Sequence, residues 1–324
     1  MATSVIAEER IQQLNDVEPQ PGDYVLYWMQ ESQRAEHNEA LEFAIQQANS
    51  QKLPLLVCFG LTDDYPDANL RHYTFMLEGL QETAQALARR GIKFVLRRGE
   101  PAEVALKLGE QAALIVTDRS YLRLQRAWRR QVAEAATCPL FQVECNVVVP
   151  VEVASDKREY AARTIRPKLH RHIERFLIEL NTTPLDHHAL DLDIAGENLA
   201  DLPKLLDSLT LDRTVGAVTR FFPGGLNAAK RILHEFLAEK FTHYQEDRNQ
   251  PQTNTVSHMS KYLHFGQISP VYLAQQIRCA EGVADAEIDA YLEELIIRRE
   301  LAMNFVYYTP DNYDSYNYLP NWAQ

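Results

Sequence analysis

The chain has 324 residues, of which 46% are hydrophobic and 24% charged, with a formal net charge of −12. That balance excludes a disordered chain, and the length suffices for two domains with a sizeable core. The acidity argues against coating nucleic acid through bulk charge, and apolar runs such as 112–116 are far shorter than the ~20 residues of a membrane-spanning helix.

Residues 1–150 alternate between short apolar runs and amphipathic stretches. Strands are expected at 24–29 (YVLYWM), 54–60 (PLLVCFG), 92–97 (IKFVLR), 113–117 (ALIVT) and 140–144 (LFQVE). Helices are expected between them, at 36–50, at 70–90 with Leu70, Tyr73, Leu77, Leu80 and Leu87 on one side, at 101–109 opened by Pro101, and at 120–136. This order predicts an α/β domain, a doubly wound parallel sheet of five strands covered on both faces. No G-x-G-x-x-G follows the first strand, so the dinucleotide fingerprint is absent. After 150 the strand signal stops. A helix is expected over 166–180 with Pro167 in its first turn, and 181–212 reads as an acidic surface connector. Further helices are expected from 226, over 267–281 and over 285–308. The reading is therefore an α/β domain at 1–150, a connector with a basic helix at 151–212, and an all-helical part at 213–324.

Four scattered cysteines (Cys58, Cys138, Cys145, Cys279) show no C-x-x-C spacing, so no metal site is expected and free thiols in a reducing cytoplasm are. The N-terminus shows no secretory signal. Seven basic residues against three acidic lie between Ser155 and Arg175, a local excess in an acidic chain. In "SHMSKYLHFGQIS" (257–269), serines and amides ahead of a helix fit either a helix cap or an anion site. "YQEDRNQP" (244–251) fits a helix end stopped by proline. In "YLEELIIRRE" (291–300), Glu294 and Arg298 lie four apart. They fit an exposed helical ion pair, or a glutamate facing a cavity to hydrogen-bond a base edge.

Together with "YWMQESQRAEHNEAL", "RHYTFMLEGL", "DRSYLR" and "NVVVPVEVASDKREYAARTIRPKL", these segments follow one another in the order of the class II cyclobutane pyrimidine dimer DNA photolyases, which the chain resembles over nearly its whole length. The resemblance implies FAD as cofactor and a carbon–carbon lyase that repairs cyclobutane pyrimidine dimers in UV-damaged DNA by light-driven electron transfer. It implies an antenna chromophore against the α/β domain, a deazaflavin or a folate, with no motif here that selects one. By position it implies FAD contacts from Tyr244, Ser257, Met259, Ser260, Tyr291 and Arg298, with Tyr244 and the turn of Ser257, Met259 and Ser260 on the phosphates, and a lesion contact from Glu294. Arg163, Arg166, Lys168 and Arg171 are expected to face DNA phosphates or brace the domain interface. Three departures stand out: Met259 for leucine, Lys261 for proline (a cation expected near the phosphates), and Glu144-Cys145-Asn146 for Asp-Ala-His. Family members also continue past the final "YNYLPNWAQ", so the printed form is expected to lack part of the flavin domain and to be inactive alone. The other readings are a cryptochrome-like blue-light sensor and a non-catalytic photolyase fragment.

Overall fold

The computed structural model describes residues 6–319 and 321–323. Six strands form one sheet: β1 (Ile11–Gln13), β2 (Tyr24–Trp28), β3 (Leu55–Leu61), β4 (Lys93–Arg98), β5 (Ala112–Asp118) and β6 (Leu140–Val143). Their order is β1-β6-β5-β2-β3-β4. The five expected strands are all present and parallel, and β1 is an addition, pairing antiparallel with β6. Its polar, half-exposed Ile-Gln-Gln lacks the apolar signature of the buried strands. Helices α1 (Glu39–Gln51), α2 (Leu70–Arg89), α3 (Pro101–Gly109) and α4 (Arg123–Ala135) connect the parallel strands. Strands β2, β3 and β5 are buried along their whole length, as a sheet covered on both faces requires.

Past the sheet run α5 (Val151–Ala154), α6 (Ala162–His170), α7 (Ile173–Phe176), α8 (Leu202–Asp207), α9 (Leu226–Glu239), α10 (Tyr244–Asp247), α11 (Ser260–His264), α12 (Pro270–Arg278), α13 (Asp285–Leu292) and α14 (Arg299–Tyr308). A π-helical turn, Glu293–Arg298, joins α13 to α14. The helix expected over 166–180 begins instead at Ala162, holds Pro167 in its interior, and breaks after His170. The stretch 181–212 is more than a surface connector. Leu185, Leu205 and Leu209 are buried in the core of the sheet domain, and Glu197 N–H donates to Leu96 O of β4 at 2.8 Å.

A second core gathers Phe236, Phe241, Tyr244, Met259, Tyr262, Tyr291 and Ile296 among the helices. The two units are clamped at buried polar contacts. Arg34 Nη1 donates to Gly266 O at 3.0 Å, and Arg299 Nη1 to Asn146 O at 2.6 Å. The carboxylate of Glu300 accepts from the backbone N–H groups of Val148 and Val149. All four cysteines are free thiols, three of them buried. Among the described residues no helix is long and apolar enough to cross a membrane, and no cluster of acidic, His and Cys side chains is placed to hold a metal.

Candidate functional site

A cavity of about 590 Å³ lies between the two units. One wall comes from the carboxyl ends of the parallel strands, where the order reverses between β5 and β2; open α/β sheets bind ligands at such switch points. The turn after β2 is held there by Asp118, whose carboxylate accepts from Tyr27 OH at 2.9 Å, Glu31 N–H at 2.9 Å and Ser32 N–H at 3.0 Å. This places Gln30, Glu31 and Gln33 on the cavity wall. Burial, followed by the Asp118 carboxylate, pushes the Glu31 carboxyl up to about 7, against the pull of Arg129 and Arg299. Tyr65 and Trp128 meet edge to face at 6.4 Å on the same wall, and Gln125 Nε2 donates to Tyr65 OH at 2.7 Å. The buried Oε1 atoms of Gln33 and Gln125 have no protein partner, so two acceptors stand unused beside the cavity.

The helical wall contains Tyr244, Ser257, Met259, Ser260, Tyr291 and Glu294. Six of the seven residues singled out for flavin and lesion thus share one cavity, although they come from three separate segments. Tyr291 OH donates to Ser257 Oγ at 2.7 Å, and the Tyr244 and Tyr291 rings lie 5.1 Å apart. Burial raises the Tyr291 hydroxyl well above its ordinary range, so it stays a neutral donor. Ser257 does not cap α11: the N-cap is Met259, which makes no side-chain cap bond, and Ser257 Oγ lies 3.4 Å from Met259 N. The capping serine in this stretch is Ser269, which accepts from Tyr272 N–H at the start of α12. The single glycine also has its reason. Gly266 has φ +62°, and a Cβ there would lie 1.9 Å from Glu31 O, so the bare backbone lets the two units meet.

Arg298 lies outside the cavity. The π turn advances five residues per hydrogen-bonded repeat, so Arg298 pairs with Glu293, five back, at 3.2 Å, and the expected pairing with Glu294 does not form. Glu294 bonds Arg248 instead, Nη1 to Oε1 at 2.5 Å. Sequence reasoning missed Arg248; its signal was the spacing of four from Tyr244, and its guanidinium does lie 5.8 Å from that ring. Arg248 Nε is buried and makes no hydrogen bond among the described residues, and Arg248 itself does not line the cavity. Lys261 does not line the cavity: its Nζ donates to His258 O at 2.7 Å and sits 3.8 Å from the centre of the Phe222 ring. Burial lowers that ammonium to about 8. The cation expected near the phosphates is thus turned onto an aromatic face.

In the basic segment, Arg166 forks onto Glu293 at 2.7 and 3.0 Å, and Lys168 bonds Glu159 at 2.6 Å. Burial would raise the Glu159 carboxyl, but bonds from Lys168, Thr164 and Ser155 outweigh it and bring it down to about 2. These two cations are braces within the fold. Arg163 and Arg171 are exposed and make no ion pair among the described residues.

The DNA photolyase family model matches residues 25–187. A deoxyribodipyrimidine photo-lyase of Methanothermobacter thermautotrophicus is 48% identical over 321 residues, covering 99% of this chain and 69% of that protein. A deoxyribodipyrimidine photo-lyase of Potorous tridactylus is 36% identical, with 92% of this chain and 56% of that protein covered. An archaeal photolyase from Sulfolobus tokodaii, solved with two FAD molecules, superposes with a TM-score of 0.67 at 15% identity, covering 88% of this chain and 60% of that one. The chain thus spans between about half and two thirds of the length of the relatives it matches. On the family match and the 48% identity, the chain belongs to the DNA photolyase family.

Proposed function

We propose that this chain acts in a class II deoxyribodipyrimidine photo-lyase, splitting cyclobutane pyrimidine dimers in UV-damaged DNA, in a reducing cytoplasm that keeps its four thiols free. Residues 1–150 serve as the sheet domain, 151–212 as the connector, and 213–324 contribute the flavin-binding helices. The observation that carries this reading is the convergence of Tyr244, Ser257, Met259, Ser260, Tyr291 and Glu294 on one cavity. The cavity suits FAD: its volume falls in the range of cofactor sites, its walls are largely apolar and aromatic, and Ser257, Ser260 and the unused Gln33 and Gln125 Oε1 atoms supply a few polar groups along it. Ser260 and the backbone after Ser257 would hold the phosphates, and Tyr244 and Tyr291 would line the space beside them. FAD, when bound, supplies the light-driven one-electron chemistry.

The chain's own work is positioning. Arg248 occupies Oε1 of Glu294, while Oε2 makes no hydrogen bond among the described residues and can accept an imide N–H from an extruded pyrimidine. The neighbouring guanidinium offsets the carboxylate charge, so a base can approach without facing a bare anion. The test is FAD retention after dialysis, followed by dimer splitting under defined illumination at saturating lesion. In the protein carrying the rest of the flavin domain, Glu294→Ala should lower repair per absorbed photon while flavin content stays at the wild-type level. Wild-type protein that retains no FAD, or full yield from the variant, would refute the reading.

A further inference from the structure

The expected DNA-facing cations Arg166 and Lys168 are engaged within the fold, so a nucleic-acid backbone must find its counter-charges elsewhere. One short strip offers them. Lys157, Arg158, Tyr160 and Arg163 are all exposed, and Tyr160 is 73% exposed, among the most exposed large side chains of the molecule. Glu159, between them, is turned inward and neutralised by Lys168. Asp156 is the only other acidic residue between Ser155 and Arg163. Lys157 makes no ion pair among the described residues, and Arg158 reaches only the carbonyl of Tyr318, at 3.4 Å.

The strip is rigid. Asn304, buried on α14, clamps it from both sides: its Nδ2 donates to Lys157 O at 3.1 Å and its Oδ1 accepts from Glu159 N–H at 2.7 Å. Tyr308 OH donates to Ser155 O at 2.7 Å. An aromatic ring fixed in water on a pinned backbone has lost backbone freedom with no burial in return, a combination that suits a stacking platform. Its location is also informative. Met303 and Val306 of α14 line the cavity, while Asn304 of the same helix holds the strip. The strip and the cavity are therefore separated by one helix, a thickness of about 10–12 Å. That is about three nucleotide steps along a strand, at ~3.4 Å each.

We infer that Lys157, Arg158 and Arg163 hold the phosphates of a DNA strand flanking the extruded base, and that Tyr160 stacks on a base of that strand. This rests on the nucleic-acid substrate proposed above, and it moves the expected contact surface off Arg166 and Lys168. The strip is small, cationic and rigid, with a lone aromatic, which suits a strand better than the broad apolar face a membrane surface requires.

The test measures binding of the 324-residue protein to labelled oligonucleotides, with and without a dimer, over a salt series. The triple variant Lys157→Ala/Arg158→Ala/Arg163→Ala should flatten the plot of log affinity against log salt by about 0.7–0.9 per lost phosphate contact. Tyr160→Ala should weaken binding by about fivefold to a hundredfold, and Tyr160→Phe should restore it. Lys204→Ala, an exposed cation of α8 away from the strip, should leave slope and affinity unchanged. Thermal melts check that these surface changes leave the fold intact. Wild-type binding with an unaltered slope in the triple variant and unaltered affinity in Tyr160→Ala would overturn the strip while leaving the repair reading standing. An effect of Lys204→Ala as large as that of a strip cation would overturn it too, because charge alone would then account for the losses. Wild-type protein that binds no DNA at low salt would overturn both.

Discussion

The hydroxyl of Tyr291 shows how the cavity wall is organised at the scale of single residues. It is buried, it stays neutral, and its partner is Ser257 Oγ. Ser257→Ala strands a buried donor, which costs about 1–3 kcal/mol, whereas Tyr291→Phe removes the donor itself and leaves a serine able to turn toward the cavity. Thermal or urea denaturation of the flavin-free protein should therefore rank Ser257→Ala as more destabilising than Tyr291→Phe. The double change should cost less than the sum of the two single ones. Additive losses would mean the bond contributes nothing of its own. Glu294 and Arg248 form a different kind of pair, with side chains 40% and 26% exposed, and an exposed pair of this type contributes about 1 kcal/mol or less to stability. Its weight falls on orienting the carboxylate, which is why repair yield, and not melting temperature, is the informative readout for Glu294.

At the scale of elements, the buried strands were legible because full burial demands unbroken apolar runs: the expected 113–117 is Ala112–Asp118, and the expected 54–60 is Leu55–Leu61. β1 was illegible because a lone isoleucine followed by two glutamines carries no such signal. The start of α6 was illegible because Ala161 gives no capping cue, and Pro167 suggested a first turn where the structure has a helix interior. The π turn was hidden as well. Glu294 and Arg298 fit an α-helical pair by spacing, and only the extra residue in the turn rotates Arg298 onto Glu293. Glu293 is consequently shared, and its carboxyl is held below its ordinary range first by Arg166 and then by Arg298. Arg166→Ala should change thermal stability little, since the pair is partly exposed and Arg298 remains. The same variant should leave the salt slope of DNA binding at its wild-type value, and a flattened slope would return Arg166 to the nucleic-acid surface. Gly266→Ala should cost more than Arg166→Ala. The left-handed backbone alone is worth about 1–2 kcal/mol, and the added methyl would meet Glu31 backbone at the junction of the two units.

At the scale of the whole molecule, the site exists only where the two units meet, which explains why its helical half could be read by motif and its sheet half could not. Glu31 and Gln33 lie in "YWMQESQRAEHNEAL", a segment that carried the resemblance but no site role, and Gln125 lies in none of the quoted segments; they reach the cavity because Asp118 folds the turn after β2 and because Gly266 admits close approach. The junction also carries a pH dependence whose sign can be worked out. Glu31 titrates from 4.5 when unfolded to about 7 when folded, driven up by burial and then by Asp118, and Glu300 does the same through burial. A raised carboxyl pKa means the folded state holds more protons than the unfolded state between those values. Its contribution is fully present below about pH 4.5 and is lost as pH rises through about 7. Burial lowers His37, His72, His258 and His264, and these push the opposite way over part of that window. The useful quantity is therefore the difference between proteins. Glu31→Gln keeps the shape and hydrogen-bonding capacity of the side chain while removing its charge. Its stability relative to wild type, followed by urea denaturation at fixed ionic strength, should rise between about pH 4.5 and pH 7 and level off above that. A difference that stays flat across that range would show that Glu31 ionises as freely in the folded protein as in the unfolded chain, and that the junction between the two units is open to water.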